Sequence, residues 1–400
     1  MPTPSDTSPI AIVTDAVWRK SVAAIRSLGR AGWTVFALGD SFFTTGFYSR
    51  YTVRRFRGPS AAENPLGFGA TLRRAAAATN GRPTVLLPME DASCEWVLLH
   101  GSAELPENVH WLLPSVESFQ IARDKGRTMQ LARQLGIPCP WTLEPECIED
   151  LRSCVEARDL SDLVLKPRTG SGSGGIVYGA QIRQIDLAHH WKSHGALLLQ
   201  ERIPTDGEAR GVSFLFDQEG NPCEAFAHRR LRQYPVSGGP STQRESIALD
   251  DLFDHSLRLL KALSWRGVAM VEWKVHPETG HPMLLEINPR FWGSLALAVR
   301  AGADFPVEYA KACIADPNLR QSPSRYPAGV RCRWFLPGDI LRYLNESSET
   351  REPLREFMSG ILNDSEEFDR HDLRGSLATV LCPAALILNP KYFRYLRKSR

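Results

Sequence analysis

The apolar positions of this chain alternate between two periods. Residues 10–13 are a short continuous apolar run, residues 14–30 turn to helical spacing that closes at Gly32, and residues 33–38 are a second apolar run. A third run at 84–87 is followed by a helical pattern through Leu99. Short buried runs alternating with helices predict an α/β first domain with a parallel sheet, ending near residue 115. Thr14-Asp15-Ala16-Val17-Trp18 follows the first run without the glycines that seat a dinucleotide pyrophosphate, so such a cofactor is not expected there. Asp15 and Glu90-Asp91 fall at strand ends, where such sheets bind ligands and where helix capping is an equal reading.

Further on, Asp124 and Lys125 open a helix that runs to Leu135 and stops at Gly136, with Pro138 beyond. Residues 163–165 read as a buried strand that delivers Lys166 to a glycine-rich stretch, 169–175. Gly170, Gly172 and Gly175 match G-x-G-x-x-G literally, but residues 176–178 read as a strand rather than a helix, and no Lys-Ser/Thr pair follows. A hairpin loop whose N–H groups close over phosphates fits better; a plain surface loop is the alternative. Residues 196–199 form a strand leading into Gln200-Glu201-Arg202-Ile203-Pro204, and 211–217 form another. On a regular strand over 228–234, Arg230 and Arg232 point one way and Arg229 the other. With the Ser237-Gly238-Gly239 turn they suggest an anion-binding edge, against the alternative of a basic edge strand that deters aggregation. Residues 250–263 are an amphipathic helix, and 295–315 are helical.

The most informative stretch is 267–290, two alternating strands joined by the turn-rich 276–282. Met270, Glu272 and Lys274 share one face of the first strand; Leu284, Glu286, Asn288 and Arg290 share one face of the second. A hairpin symmetric about Thr279 sets Glu272 opposite Glu286. Two carboxylates about 5 Å apart repel by about 3 kcal/mol at an effective dielectric near 20, so something positive must sit between them. Two carboxylates and an amide oxygen suit Mg²⁺ carrying substrate phosphates, with Mn²⁺ as an alternative. Arg290 has the fork geometry to grip a phosphate. A solvated strand face with surface charges is the bland alternative.

Glu272, then Glu286-x-Asn288-Pro289-Arg290, with Lys166 before the glycine loop, resembles the ATP-grasp superfamily over roughly residues 10–325. The Phe291-Trp292-Gly293 that follows resembles its carboxylate–amine ligases and carboligases. The resemblance implies an ATP-grasp fold: a Rossmann-like pre-ATP-grasp domain over 1–115, a linker helix and small α+β lid over 116–202, an α+β metal- and substrate-binding domain over 203–325, and an extension over 326–400. It implies ATP and Mg²⁺ as cofactors, with Glu272, Glu286 and Asn288 as metal ligands and Arg290 on the transferred phosphate. Lys125, Lys166, Gly172 and Gly174 would contact the ATP phosphates. Gln200, Glu201 and Ile203 would line the adenine hinge, and Glu208 would bind ribose. Arg232 joins Arg290 and Lys166 as a catalytic candidate. The implied reaction activates a carboxylate as an acyl phosphate and couples it to an amine, releasing ADP and phosphate. A bicarbonate-using carboligase, a kinase and a non-catalytic nucleotide-binding protein are the rivals.

Composition changes little in this picture. The 400 residues suit two or three domains, and a net charge of +3 with no RNA- or DNA-binding motif argues against a nucleic-acid partner. The polar, proline-rich start has no signal-peptide character, and eight scattered cysteines without a Cys-x-x-Cys pair read as reduced thiols of a cytoplasmic protein. His190 and His194 have zinc-ligand spacing but no accompanying Glu, so a solvated helix face is expected. Residues 376–390 are apolar but broken by Pro383 and are expected to dock on the body, with the basic 391–400 as a solvated tail rather than a membrane contact. Oligomeric state is left open, a dimer included.

Overall fold

The computed structural model describes residues 8–170, 174–204, 206–235, 239–346 and 351–387. Its first sheet contains β1 (Ile10–Val13), β2 (Thr34–Gly39), β3 (Thr52–Arg57), β4 (Thr84–Leu87) and β5 (Val109–His110), all parallel, in the order β3-β2-β1-β4-β5. Helices cover its strands, which is why β1, β2 and β4 are apolar and buried along their whole length. The chain order reverses at β1. Asp15, after β1, and Glu90 and Asp91, after β4, therefore meet at the carboxyl edge of two neighbouring strands, where such a reversal opens a crevice.

The second sheet is small and antiparallel. It contains β6 (Thr142–Leu143), β7 (Leu163–Pro167), β8 (Val177–Tyr178) and β9 (Leu197–Glu201), ordered β6-β9-β7-β8 over its own core of Leu151, Val155, Leu165, Leu197 and Leu199. The third sheet is antiparallel, with β10 (Ala209–Phe216), β11 (Pro222–Gln233), β12 (Ser241–Ile247), β13 (Gly267–Val275), β14 (Pro282–Asn288) and β15 (Arg331–Arg333) in the order β14-β13-β10-β11-β12-β15. One face packs Phe214, Phe216, Trp265, Trp273 and Leu284 against the helices Lys125–Gln134 and Asp251–Ala262. Both helices start at their aspartates: Asp124 accepts from Gly126 N and Arg127 N, and Asp250 accepts from Leu252 N. The other face packs Leu215, Phe226, Val268 and Met270 into a core shared with the first sheet and the helices Leu295–Ala301 and Phe305–Cys313, and its remaining part carries the site.

Two sequence expectations change here. Residues 295–315 are two helices, Leu295–Ala301 and Phe305–Cys313, because Gly302 takes φ 100° and Asp304 caps the second helix ahead of Pro306. Pro383 does not break the last element, a helix over Leu373–Ile387. No helix among the described residues is long and apolar enough to cross a membrane.

The segment beyond residue 325 ties the first sheet to the third. Its β15 extends the third sheet beside β12. Glu366 pairs with Arg19 of the first helix at 2.9 Å and with Arg244 of β12. Arg26 donates to Asp372 Oδ2 at 3.0 Å and to the carbonyl oxygens of Glu366 and Glu367. Buried Asp372 also accepts from Ser49 Oγ and Arg50 N, both at 2.8 Å. Burial alone would raise its pKa, but the donors at Arg50 and Arg26 outweigh burial and hold it below the usual range.

Asp372→Ala strands the buried Arg26 guanidinium and should cost about 3 kcal/mol or more at neutral pH. A depressed folded-state pKa makes this contribution complete above the ordinary carboxylate range and lost as pH falls through the folded value. Urea midpoints of wild type and variant should therefore converge in acid; equal midpoints at neutral pH would refute the clamp.

Candidate active site

The β13–β14 hairpin sets the site. Glu272 stands opposite Glu286 and Met270 opposite Asn288, yet Trp273 stands opposite Leu284. Leu285 is therefore an extra residue, a β-bulge. It sends Leu284 to the core beside Trp273 and keeps Glu286 on the cleft face with Glu272. The expectation that Leu284 shares the Glu286 face is thus corrected, while the opposition of the two carboxylates is as the sequence suggests.

The carboxylates are surrounded by donors. Asn288 Nδ2 donates to Glu272 Oε1 at 3.2 Å and to Glu286 Oε1 at 3.4 Å. Arg230 forms a short ion pair with Glu272. Lys125 Nζ lies 3.2 Å from Glu286 Oε2 and donates to Gly170 O at 2.8 Å, linking the glycine loop to this hairpin. Burial and the facing Glu286 raise the Glu272 pKa despite Arg230. Glu286 is also penalised by burial, but Lys125 and Lys166 carry its pKa below the usual value. Buried Lys166 on β7 is pushed down to about 8 by burial and by Lys125, against the pull of Glu286.

Arg290 is buried beside the first sheet. Its Nε lies 3.1 Å from Asp91 Oδ1, close enough for an ion pair but not aligned as a hydrogen bond. Lys20 reaches the same place, donating to Phe291 O at 3.0 Å and pairing with Glu90 at 2.8 Å. Asp15, at φ 52°, accepts from Thr14 and Ser93; burial and Glu90 raise its pKa. Next to Arg230, buried His228 shares a 3.1 Å contact with Ser294 Oγ and is pushed down to about 3 by burial and by Arg230, so it is neutral.

These groups line one cleft of about 2990 Å³ where the three sheets meet. That exceeds the roughly 300–1,000 Å³ of a single small-ligand pocket, leaving room for two substrates. Lys125, Lys166, Gly174, Gln200, Glu201 and Ile203 all line it. Gln200 is buried and donates to Thr142 Oγ1 at 2.8 Å; Glu201 accepts from Trp141 N at 3.0 Å. Gly172, Ser237 and Gly238 lie outside the described residues.

Two candidates are placed elsewhere. Arg232 lies 3.3 Å from Asp339 and 2.7 Å from Glu352, both beyond residue 325, and does not line the cleft. The cause is a second bulge: Arg230 faces Arg244 but Arg232 faces Gln243, so Leu231 is the extra residue and the two arginines point to opposite faces. Arg230 holds the place the sequence offered to both. Glu208 is also outside the cleft lining, occupied by Arg210 at 2.5 Å and Arg229 at 3.2 Å. His190 is not simply solvated, since its Nε2 sits 2.8 Å from Gly175 O at the end of the glycine loop.

Sequence reasoning missed Lys20 and the wall beyond residue 325, where Trp334, Glu366 and Glu367 line the cleft. Lys20 had a signal, its i, i+4, i+8 spacing with Ala24 and Leu28 on the buried helix face.

Among the described residues no three His, Cys, Asp or Glu side chains cluster for a metal. Glu272, Glu286 and the Asn288 amide make a partial oxygen site, completed only if a ligand brings further oxygens. Rotating the Asn288 amide replaces its N–H by oxygen; the two orientations differ only in their hydrogen-bond network. Such a set fits Mg²⁺ or Mn²⁺ arriving with phosphates.

Residues 122–294 match the ATP-grasp domain model. The carbamoyl phosphate synthase large chain of Beutenbergia cavernae is 27% identical over 250 residues, covering 58% of this chain and 22% of its own length. The chain thus spans about a fifth of that curated relative. Among solved structures, a biotin carboxylase–βγ-ATP complex from Campylobacter jejuni aligns at TM-score 0.60 and 17% identity, covering 76% of this chain and 70% of that one. The L-amino acid ligase of Bacillus licheniformis aligns at TM-score 0.56 and 16% identity, covering 78% and 77%. The chain carries an ATP-grasp domain at residues 122–294 and shares its fold with that biotin carboxylase and that L-amino acid ligase.

Proposed function

We propose that this protein is an ATP-dependent ligase that phosphorylates a carboxylate and couples the acyl group to an amine, forming ADP and phosphate. The observation that carries the reading is the buried Glu272–Glu286 pair with Asn288 beside it, ringed by Lys125, Lys166, Arg230 and Arg290 in a two-substrate cleft. Similarity to a biotin carboxylase bound to βγ-ATP supports it at the level of fold.

In this reading ATP lies between the second and third sheets, with adenine at residues 200–203 and the phosphates directed to β13 and β14. Glu272, Glu286 and Asn288 hold Mg²⁺, which when bound neutralises phosphate charge and polarises the γ-phosphoryl group. Lys125 and Arg230 exchange their carboxylate partners for phosphate oxygens. Lys166 stabilises charge from the β7 side and Arg290 from the opposite side. A carboxylate oxygen attacks the γ-phosphorus and the bond to ADP breaks. The amine nitrogen then attacks the acyl carbon, phosphate leaves with the original carboxylate oxygen, and the amine proton passes to a base or to solvent. The acyl phosphate is a mixed anhydride, so closure against water is part of the chemistry. Asp15, Glu90 and Asp91 lie on the opposite wall, where the second substrate would enter.

With ¹⁸O in the substrate carboxylate, label should appear in the released phosphate and ADP should be the nucleotide product. Formation of AMP and pyrophosphate, or amide synthesis without label transfer, would overturn the reading. Bicarbonate-dependent ADP release with no response to organic acids would favour a carboligase.

Glu286→Gln removes one ligand of the proposed cation while keeping the shape. Turnover in saturating Mg²⁺-ATP should fall at least about a hundredfold, as for loss of a major electrostatic contribution. Thermal melting checks folding, and more than a tenth of wild-type turnover would reject the metal assignment.

Lys166 supplies a pH test. With its pKa at about 8, it loses charge as pH rises through that value, and nucleotide binding should weaken over the same range. Lys166→Arg stays charged and should flatten the profile. Equal pH profiles for the two proteins would remove Lys166 from phosphate binding.

A further inference from the structure

The helix Leu373–Ile387 has two faces of different fate. Gly375, Ser376, Ala378 and Cys382 are buried against the body, where the helix packs on the turn Thr45–Tyr48 and is pinned by Asp372 to Ser49 and Arg50. Leu373, Leu377, Val380 and Leu381 fall at i, i+4, i+7 and i+8 and are 63%, 60%, 43% and 56% exposed. Over residues 373–382 the stretch therefore docks on the body, as the sequence suggests, but does so by its small residues and presents its large ones outward. The turn it packs on adds exposed aromatic surface: Tyr48 donates to Phe42 O at 2.8 Å, and Phe42 and Phe43 are both exposed.

Charge identifies what would cover this face. Residues 373–400 contain six Lys and Arg and no Asp or Glu. The strand beside the turn carries exposed Arg54, Arg55 and Arg57, with Arg57 over the Phe42 ring at 4.1 Å and Arg55 over Tyr48 at 5.6 Å. The nearby acids do not offset this charge, since Asp369 and Asp372 are already paired with Arg30 and Arg26. A second copy would bring like charges together, which disfavours self-association through this face. Anionic headgroups with acyl chains beneath complement both properties: the leucines enter the interface, the aromatics sit at its boundary and the basic residues meet the headgroups.

We infer that the outward face of this helix over residues 373–381, together with Phe42, Phe43 and the exposed arginines of β3 beside it, is a docking surface for an anionic lipid bilayer. This does not depend on the ligase reading.

The test is flotation of the full chain with phosphatidylcholine vesicles containing about 30 mol % phosphatidylglycerol, against pure phosphatidylcholine vesicles. The protein should float with the anionic vesicles, stay behind with the neutral ones, and be released at about 0.5 M NaCl, where screening is strong. Leu377→Asp with Leu381→Asp should lower the bound fraction at least about tenfold, with melting temperature and ADP formation unchanged because neither residue packs inward or faces the cleft. Failure to float with anionic vesicles, or equal flotation of the double variant, overturns the inference. A dimer in light scattering that the double variant abolishes, without vesicle binding, assigns the face to a second copy instead.

Discussion

The opposition of Glu272 and Glu286 is the constraint around which the site is arranged. Side by side on neighbouring strands, the two carboxylates are stable in a buried cleft only if positive groups share the space. Arg230 from β11 and Lys125 from the helix below supply that charge, and the Asn288 amide between donates to both carboxylates. Arg230 and Lys125 are also groups that can turn to a phosphate oxygen. The repulsion is thus answered provisionally by side chains that a cation-bearing nucleotide can release. The pKa values of the two acids divide, one up and one down, because only Glu286 has two lysines beside it.

Around that pair the three sheets have separate tasks. The third sheet buries its tryptophans on one face and divides the other between apolar core and the charged site. The second sheet brings Lys166 and the residues 200–203 over it, and the first sheet closes the far side with the strand-end acids at its switch point. Such an assembly holds its geometry only if the first and third sheets are fixed to each other. A shared apolar core, with Val13, Val35 and Leu87 on one side and Leu215, Phe226 and Met270 on the other, joins them, and the segment beyond residue 325 adds buried ion pairs, Arg26 with Asp372 and Arg19 and Arg244 with Glu366. A break in that clamp leaves an arginine without its partner inside the protein, so the wall and the clamp fail together.

Much of this was legible in the sequence, because periodicity and capping are local. The buried runs of the parallel sheet, the Asp124 and Asp250 caps and the Glu272–Glu286 opposition all depend on neighbours a few residues apart. Bulges are less local. The symmetric hairpin placed Glu286 correctly but Leu284 wrongly, because Leu285 supplies an extra residue that alternation alone cannot locate. The bulge at Leu231 exchanged Arg232 for Arg230 in the same way. Glu208 was assigned by order along the chain, whereas its partner Arg229 is chosen by the β10–β11 register. The wall beyond residue 325 was invisible because it is built by ion pairs hundreds of residues apart, such as Arg26 to Asp372.

The central claim, that the opposed carboxylates are a cation site completed by nucleotide, is tested most directly by calorimetric titration of ATP with and without Mg²⁺ into wild type and Glu272→Gln. Wild type should bind Mg²⁺-ATP at least about tenfold more tightly than metal-free ATP, a difference of about 1.4 kcal/mol. In Glu272→Gln that gain should largely vanish, while metal-free ATP binds better than to wild type because one repelling charge is gone. Equal affinities with and without Mg²⁺ in wild type, or a variant that keeps the full Mg²⁺ gain, would contradict the account.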